Sequence, residues 1–262
     1  MGAIAAAIDR KDSSAVDIVF EMMKNLVHRG DDAFGIATPD DLRFSNRIED
    51  LNTRGMKSSF AIGYNLMKLL PSDIQQPLKI GRAAIAFEGT VHPVKSKPYL
   101  TALFKSALQK TNVKAVADFV KTRRGAYAIA SLHGENMILA RDPVGQKPLY
   151  FGKNERLVAA ASERKALWRV GLDRVDSFPP GYIMSLTRKG WRLQHSRTIR
   201  QPEVAGVDLE SAAKHLKRLL AKTIVELTKD VERAAVAFSG GIDSGLIASI
   251  AKSTGLEVEL FT

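Results

Sequence analysis

The sequence predicts an α+β domain of layered sheets, followed by the opening of a doubly wound α/β domain. Its 262 residues are too many for one ordinary domain and fit two. Many short strand-like runs surround few helical patterns over residues 1–200, which favours packed sheets with helices beside them. After the polar segment 199–208, the order becomes helix, strand, glycine-rich turn, helix and strand. We therefore assign one domain to 1–200, a linker to 199–208 and a second domain to 208–262.

The first domain opens with an apolar run of strand length at residues 3–8. Residues 14–28 then place five apolar side chains at helical spacing: Val16, Val19, Phe20, Met23 and Val27. Gly30 is the expected stop of this helix. Further strand-like runs follow at 33–38, 59–63, 81–87, 126–132, 136–140, 148–152, 156–161 and 181–186. Helical patterns lie between them at 99–109 and 113–123.

The second domain begins with Asp208 as the expected N-cap of a helix over 209–229. A strand at 234–238, a loop at 239–244, a helix at 243–253 and a strand at 257–262 follow. A parallel sheet of two strands cannot cover its own faces or satisfy its own edges. We therefore expect this chain to be a fragment of a longer protein, or its sheet to be completed by another molecule.

Composition excludes several classes of protein. A hydrophobic fraction of 45% and a charged fraction of 26% are ordinary for a globular chain and exclude intrinsic disorder. No apolar run approaches the roughly 18 residues that a membrane helix needs, and the N-terminus does not resemble a secretory signal. The absence of cysteine excludes disulfides, thiolate metal sites and a cysteine nucleophile. We expect a cytoplasmic protein without a membrane partner.

The formal net charge of +11 permits binding to nucleic acid or another polyanion. Lys and Arg are nevertheless spread along the chain, without a long basic block and without interleaved aromatic residues. This distribution argues against a nucleic-acid partner.

One loop is specific enough to predict a ligand. The sequence SGGIDS at residues 239–244 follows a buried-looking strand and opens a helix. Glycines let the backbone approach a phosphate closely, and the helix start presents unpaired N–H groups to an anion. The structural alternative is a helix after a glycine turn, with Asp243 or Ser239 as its N-cap.

This loop resembles the pyrophosphate loop of the ATP pyrophosphatase superfamily, whose members activate a carboxyl or carbonyl oxygen as an adenylate. The resemblance implies ATP and Mg²⁺ as cofactors. It also implies a nucleotide site in which the glycines admit the phosphates, the serines donate hydrogen bonds and the aspartate contacts magnesium: Ser239, Gly240, Gly241, Asp243 and Ser244.

Four segments of the first domain resemble class II glutamine amidotransferase domains. They are HRGDDAFG at 28–35, RDPVGQKPLY at 141–150, ASERKAL at 161–167 and PPG at 179–181. With the later phosphate loop, they are similar in order to glutamine-dependent asparagine synthetases over essentially the whole chain. The resemblance implies an N-terminal-nucleophile αββα sandwich before the synthetase domain. We interpret the shared segments as scaffold rather than as catalytic groups.

The catalytic elements that the resemblance implies are missing. The family's nucleophile is an N-terminal cysteine whose α-amine acts as base, but this chain has Gly2 there. The stretch expected to hold an arginine for the glutamine carboxylate is GYNL at 63–66, and the stretch expected to hold an aspartate is KPYL at 97–100. The oxyanion-binding Asn-Gly pair after a strand corresponds to Glu88 and Gly89, and a glutamate would repel an oxyanion. We predict no glutaminase activity and name no catalytic residue in the first domain.

The leading hypothesis is ATP-dependent amide formation on an aspartate-like carboxylate, with ammonia or a substrate amine as the nitrogen source. A second hypothesis is an intramolecular amide ligase similar to β-lactam synthetases. A third is a non-catalytic module that binds nucleotide or a partner, and a fourth is a tRNA-modifying enzyme. The sequence leaves a homodimer open.

Overall fold

A computed structural model describes residues 2–12, 14–69, 73–92, 113–199, 206–229 and 231–262. The chain divides into two compact units, Met1–Val91 with Lys95–Ile199 and His92–Val94 with Arg200–Thr262. The predicted linker at 199–208 and the predicted helix at 99–109 fall largely or wholly outside the described residues.

The first unit contains two antiparallel sheets. The first sheet runs in the order β11-β9-β10-β1-β4-β2-β3, with β1 (Gly2–Asp9), β2 (Ala33–Ala37), β3 (Leu42–Ser45), β4 (Phe60–Leu66), β9 (Tyr150–Lys153), β10 (Leu157–Ala161) and β11 (Val175–Ser177). The second sheet runs in the order β13-β12-β8-β7-β6-β5, with β5 (Leu78–Ile80), β6 (Ala83–His92), β7 (Arg124–His133), β8 (Asn136–Arg141), β12 (Tyr182–Leu186) and β13 (Trp191–His195).

Helices cover the outer faces of both sheets. Helix α1 (Ala15–Lys24) packs on β1 and β4, and α2 (Val113–Thr122) packs on β8 and β12. A short helix, α3 (Arg164–Arg169), packs beside β10. One buried cluster lies between the sheets and two more lie under the helices, so the layers are helix, sheet, sheet and helix. The expected αββα sandwich is confirmed.

The central strand β1 explains why its sequence reads as a continuous apolar run. Ile4 and Ile8 face the second sheet, whereas Ala5 and its neighbours at odd positions face α1. A strand that is covered on both faces has no polar side to alternate with. Small alanines on the helix side let α1 lie close to the sheet.

All nine predicted strand-like runs of this unit are strands, but the described part of the unit has four further strands that were missed: β3, β5, β11 and β13. These four are the edges of the two sheets. Their side chains are mostly half-buried or exposed, so the apolar pattern is weak. The first helix was predicted too long, because α1 ends at Lys24 and a separate 3₁₀ turn over Val27–Arg29 leads to Gly30.

The second unit contains α4 (Leu209–Thr228), β14 (Arg233–Ala237), α5 (Ile242–Ser253) and β15 (Glu257–Phe261). Asp208 caps α4 as predicted, accepting a hydrogen bond from Ser211 N at 2.9 Å. Strands β14 and β15 are parallel, with α5 between them in the chain. This is the expected beginning of a doubly wound fold.

Candidate functional site

The predicted phosphate loop connects β14 to α5 and brings its two serines together. Ser239 Oγ and Ser244 Oγ lie 3.2 Å apart, and Ser244 Oγ also donates to Gly241 O at 3.1 Å. Gly240 has φ +77°, a left-handed conformation that favours glycine. A Cβ on Gly240 would meet nothing within 4 Å, so the backbone is open on that side. The loop therefore presents two hydroxyl groups beside an open glycine backbone.

The start of α5 is free of a side-chain cap among the described residues. Gly241 is the N-cap residue, and no side chain accepts a hydrogen bond from the first turn. The N-cap residue is therefore neither Ser239 nor Asp243, although Ser239 Oγ accepts a hydrogen bond from Gly241 N at 3.4 Å. The unpaired N–H groups and the positive end of the helix dipole remain for an anion. Asp243 lies exposed in the first turn, and no group of three or more metal-binding side chains exists among the described residues.

In the first unit, the first two residues of the RDPVG segment stabilise the loop that follows β8. The buried Asp142 carboxylate accepts hydrogen bonds from five backbone N–H groups: those of Tyr127, Val144, Gly145, Gln146 and Lys147. The Arg141 guanidinium donates to Ser177 Oγ and to the carbonyls of Gly145, Lys147 and Phe178. These contacts make both residues structural, and they fix the position of Lys147.

The first residue of β1, where the resemblance implies a nucleophile, has no room for a side chain. Gly2 begins β1 and is buried. A Cβ on Gly2 would lie 2.6 Å from Tyr64 Oη and would also overlap the carbonyl oxygen of Asn65. Arg29 Nε donates to Gly2 O at 3.3 Å, which further fixes this end of the strand. The space in which a side chain at residue 2 would begin is therefore filled.

Glu88 lies at the centre of a buried ionic cluster. Its side chain is 0% exposed, and Oε1 is 3.0 Å from Arg29 Nη2 and 3.4 Å from Lys147 Nζ. Ser162 Oγ donates to Oε2 at 3.1 Å and accepts from Ile4 N at 2.9 Å. Glu88 belongs to the second sheet, whereas Ile4 belongs to the first. The carboxylate therefore ties the two sheets together at this end.

The cluster continues outward through a second carboxylate. Glu163 Oε1 is 3.2 Å from Arg29 Nη1 and 2.9 Å from His28 Nε2, and Lys165 Nζ lies 3.6 Å from Oε2. Burial alone would raise the pKa of Glu163, but the hydrogen bonds from His28 and Arg29 outweigh it and lower this pKa. Two segments quoted from the sequence, HRGDDAFG and ASERKAL, thus meet in space through their charged residues.

Two further pKa values reflect the same cluster. Burial lowers the pKa of Arg29, but the Glu88 and Glu163 carboxylates outweigh it, so the pKa of Arg29 is raised. Burial, and then the Glu88 carboxylate, raise the pKa of Tyr64. The guanidinium therefore stays charged and the phenol stays protonated. Neither group is available as a base.

The structure corrects one prediction and adds residues that the sequence did not single out. Glu88 and Gly89 lie inside β6 rather than after a strand, because β6 continues to His92. GYNL at 63–66 lies in β4 without an arginine, as predicted, but Arg29 enters the site from the 3₁₀ turn. KPYL at 97–100 lies outside the described residues. Arg29, Lys147 and Glu163 all fall in quoted segments, but their pairing across the fold was not visible.

Comparison with known proteins agrees with this architecture. Residues 1–178 match the family model of the glutamine amidotransferase domain. A putative asparagine synthetase of Methanocaldococcus jannaschii is 24% identical, covering 96% of this chain and 51% of the relative. Asparagine synthetase 2 of Arabidopsis thaliana is also 24% identical, covering 95% of this chain and 42% of the relative. The chain thus spans about half the length of these curated relatives.

A solved structure shows the same fold at lower identity. The glutamine phosphoribosylpyrophosphate amidotransferase of B. subtilis, complexed with ADP and GMP, superposes with a TM-score of 0.57 at 19% identity. The alignment covers 98% of this chain and 65% of that one. Among the described residues, no helix is long and apolar enough to cross a membrane. Because the family match covers more than half of its length, the chain belongs to the glutamine amidotransferase domain family.

Proposed function

We propose that this protein is an asparagine-synthetase-like, ATP-dependent amide-forming enzyme whose amidotransferase domain does not hydrolyse glutamine. The observation that carries the proposal is that the chain has the phosphate loop at residues 239–244 but no room for a side chain at residue 2. Tyr64 and the Asn65 carbonyl occupy the space beside Gly2, and Glu88 places a carboxylate where an oxyanion would need donors. The nitrogen therefore comes from free ammonia or from an amine of the substrate.

The residues of the loop fit ATP and Mg²⁺. Ser239 and Ser244 place their hydroxyl groups in the loop, the backbone at Gly240 is open, and the helix start favours negative charge. Asp243 supplies one carboxylate, which suits a magnesium ion held mainly by phosphate oxygens. When bound, ATP supplies the activation of a substrate carboxylate, for which an aspartate-like molecule is the proposed class.

The nitrogen source is tested on the purified protein with an aspartate-like carboxylate, ATP and Mg²⁺. We expect carboxylate-dependent pyrophosphate release with ammonium present, and neither amide product nor free ammonia when glutamine replaces it. Ammonia release from glutamine by the purified protein would overturn the assignment of an inactive amidase.

The loop is tested by two serine variants that differ only in position. Ser244→Ala removes a hydroxyl that faces Ser239, whereas Ser253→Ala removes one that bonds to Ile250 O at the far end of α5. We expect Ser244→Ala to weaken the binding of ATP with Mg²⁺ by about tenfold, which is the effect of losing one charge-assisted hydrogen bond. We expect Ser253→Ala to leave the affinity unchanged. Equal affinity of both variants for the nucleotide, measured by calorimetry, would show that this loop is not the nucleotide site.

A further inference from the structure

Three connections of the first unit meet at one end of its sheets. They are residues 10–12 after β1, the turn between β9 and β10, and the turn between β12 and β13. Arg10 N donates to Arg156 O at 2.8 Å, and Arg188 Nη2 donates to Arg10 O at 3.0 Å. These contacts gather six cations, which with Trp191 we call the basic corner: Arg10, Lys11, Lys153, Arg156, Arg188 and Lys189.

The six cations of the corner outnumber the three carboxylates of the same segments, Asp9, Asp12 and Glu155, which leaves a formal charge of +3. The Asp9 side chain is buried, with Arg156 Nη2 3.0 Å from Asp9 Oδ2 and 3.2 Å from Asp12 Oδ2. Asp9 also accepts hydrogen bonds from the backbone N–H groups of Lys11 and Asp12. Arg156 therefore contacts both of these carboxylates, Arg10 is half-buried, and the other four cations are exposed, as are Asp12 and Glu155.

An aromatic ring lies among these cations. Trp191 begins the edge strand β13 and is 43% exposed. Lys153 Nζ sits 4.7 Å from the centre of its ring, which joins the turn between β9 and β10 to β13. Proteins that bind single-stranded nucleic acid combine an exposed aromatic ring with nearby cations, because bases stack on the ring while phosphates contact the cations.

We propose that the basic corner binds single-stranded nucleic acid, with Lys11, Lys153 and Lys189 at the phosphates and Trp191 stacked on a base. The inference goes beyond the proposed amide-forming activity and does not depend on it. The scatter of Lys and Arg along the sequence argued against such a partner, but residues far apart in the chain meet here. An acidic protein segment would satisfy the cations equally, but it would leave the exposed indole without a role. The overall charge of +11 favours approach of a polyanion.

The test uses fluorescence anisotropy of a labelled single-stranded RNA of about 16 nucleotides, between about 50 and 200 mM salt. Lys11→Glu with Lys189→Glu reverses two exposed charges of the basic corner. Lys114→Glu with Lys121→Glu makes the same net change on α2, against the outer face of the second sheet. We expect the first pair to weaken binding by at least about tenfold and to flatten the salt dependence, and the control pair to weaken it by less than about threefold.

Trp191 is tested separately because stacking and charge have different signatures. In a Trp168→Phe background, Trp191 is the remaining tryptophan, and RNA should quench its fluorescence. Trp191→Ala should weaken binding without changing the salt slope, since it removes no charge. Equal loss in the two lysine pairs, absence of binding at low salt, or competition by a polyglutamate peptide as strong as that by RNA would each overturn the proposal. Circular dichroism of every variant confirms that the fold is kept.

Discussion

The hydroxyl of Tyr64 lies 2.6 Å from the point at which a side chain on Gly2 would have its first carbon. Tyr64 is buried, and its strand β4 pairs directly with β1, so the ring cannot move away without repacking the space between the sheets. A side chain at residue 2 would therefore overlap a buried neighbour that is fixed in place.

Gly2→Cys should therefore lower stability and produce no glutaminase. Overpacking of this kind costs about 1–3 kcal/mol in the free energy of unfolding. Urea denaturation measures the loss, and an ammonia assay with glutamine measures the activity. Gly190→Ala is the control, because a Cβ there meets nothing within 4 Å and should change stability by less than about 0.5 kcal/mol. A Gly2→Cys protein as stable as the wild type would contradict the overlap with Tyr64.

Glu88→Gln should destabilise the protein far more than Glu163→Gln. The amide keeps the shape of the side chain but leaves Arg29 and Lys147 facing a neutral group in a buried site. Removing one partner of a buried ion pair costs about 3 kcal/mol or more, whereas a partly exposed pair such as Glu163 contributes about 1 kcal/mol. Chemical denaturation of both variants gives the comparison, and a larger loss for Glu163→Gln would show that Glu88 does not tie the sheets together.

Arg141→Lys should also be costly although it conserves charge. A lysine cannot reach the Gly145, Lys147 and Phe178 carbonyls together, since its three donors share one nitrogen. We expect a loss of about 2 kcal/mol from the buried carbonyls left unpaired. Arg169→Lys, on an exposed side chain 3.9 Å from Glu21, should be neutral within about 0.5 kcal/mol. Thermal unfolding of the two variants side by side would refute the structural role if their midpoints coincide.

His133 gives a pH dependence with a defined sign. Burial lowers its pKa from 6.5 to about 4, and its Nδ1 has no hydrogen-bond partner among the described residues. Between these two values the unfolded chain binds a proton that the folded chain does not, so stability falls as pH drops from 6.5 towards 4. His133→Gln should remove this contribution, so the unfolding free energy of the variant relative to that of the wild type should rise as pH falls through this window. A difference independent of pH would show that His133 titrates normally.

The sequence was sufficient for features that depend on local pattern. Apolar runs predicted the interior strands, because strand side chains are buried in a regular local pattern. Asp208 predicted the start of α4, because a short polar side chain caps the helix that directly follows it. Gly2 and Glu88 could also be recognised from the sequence, because each stands at a position where the resemblance implies a different residue type.

The tertiary structure decided everything that depends on residues far apart in the chain. The edge strands β3, β5, β11 and β13 form because a neighbouring strand offers hydrogen bonds, and their own side chains carry little apolar signal. The pairing of Arg29 with Glu88, the filling of residue 2 by Tyr64 and the gathering of Lys11, Lys153 and Lys189 all require the sheets to be stacked. Charge and shape act through space rather than along the chain, so composition alone could not reveal them.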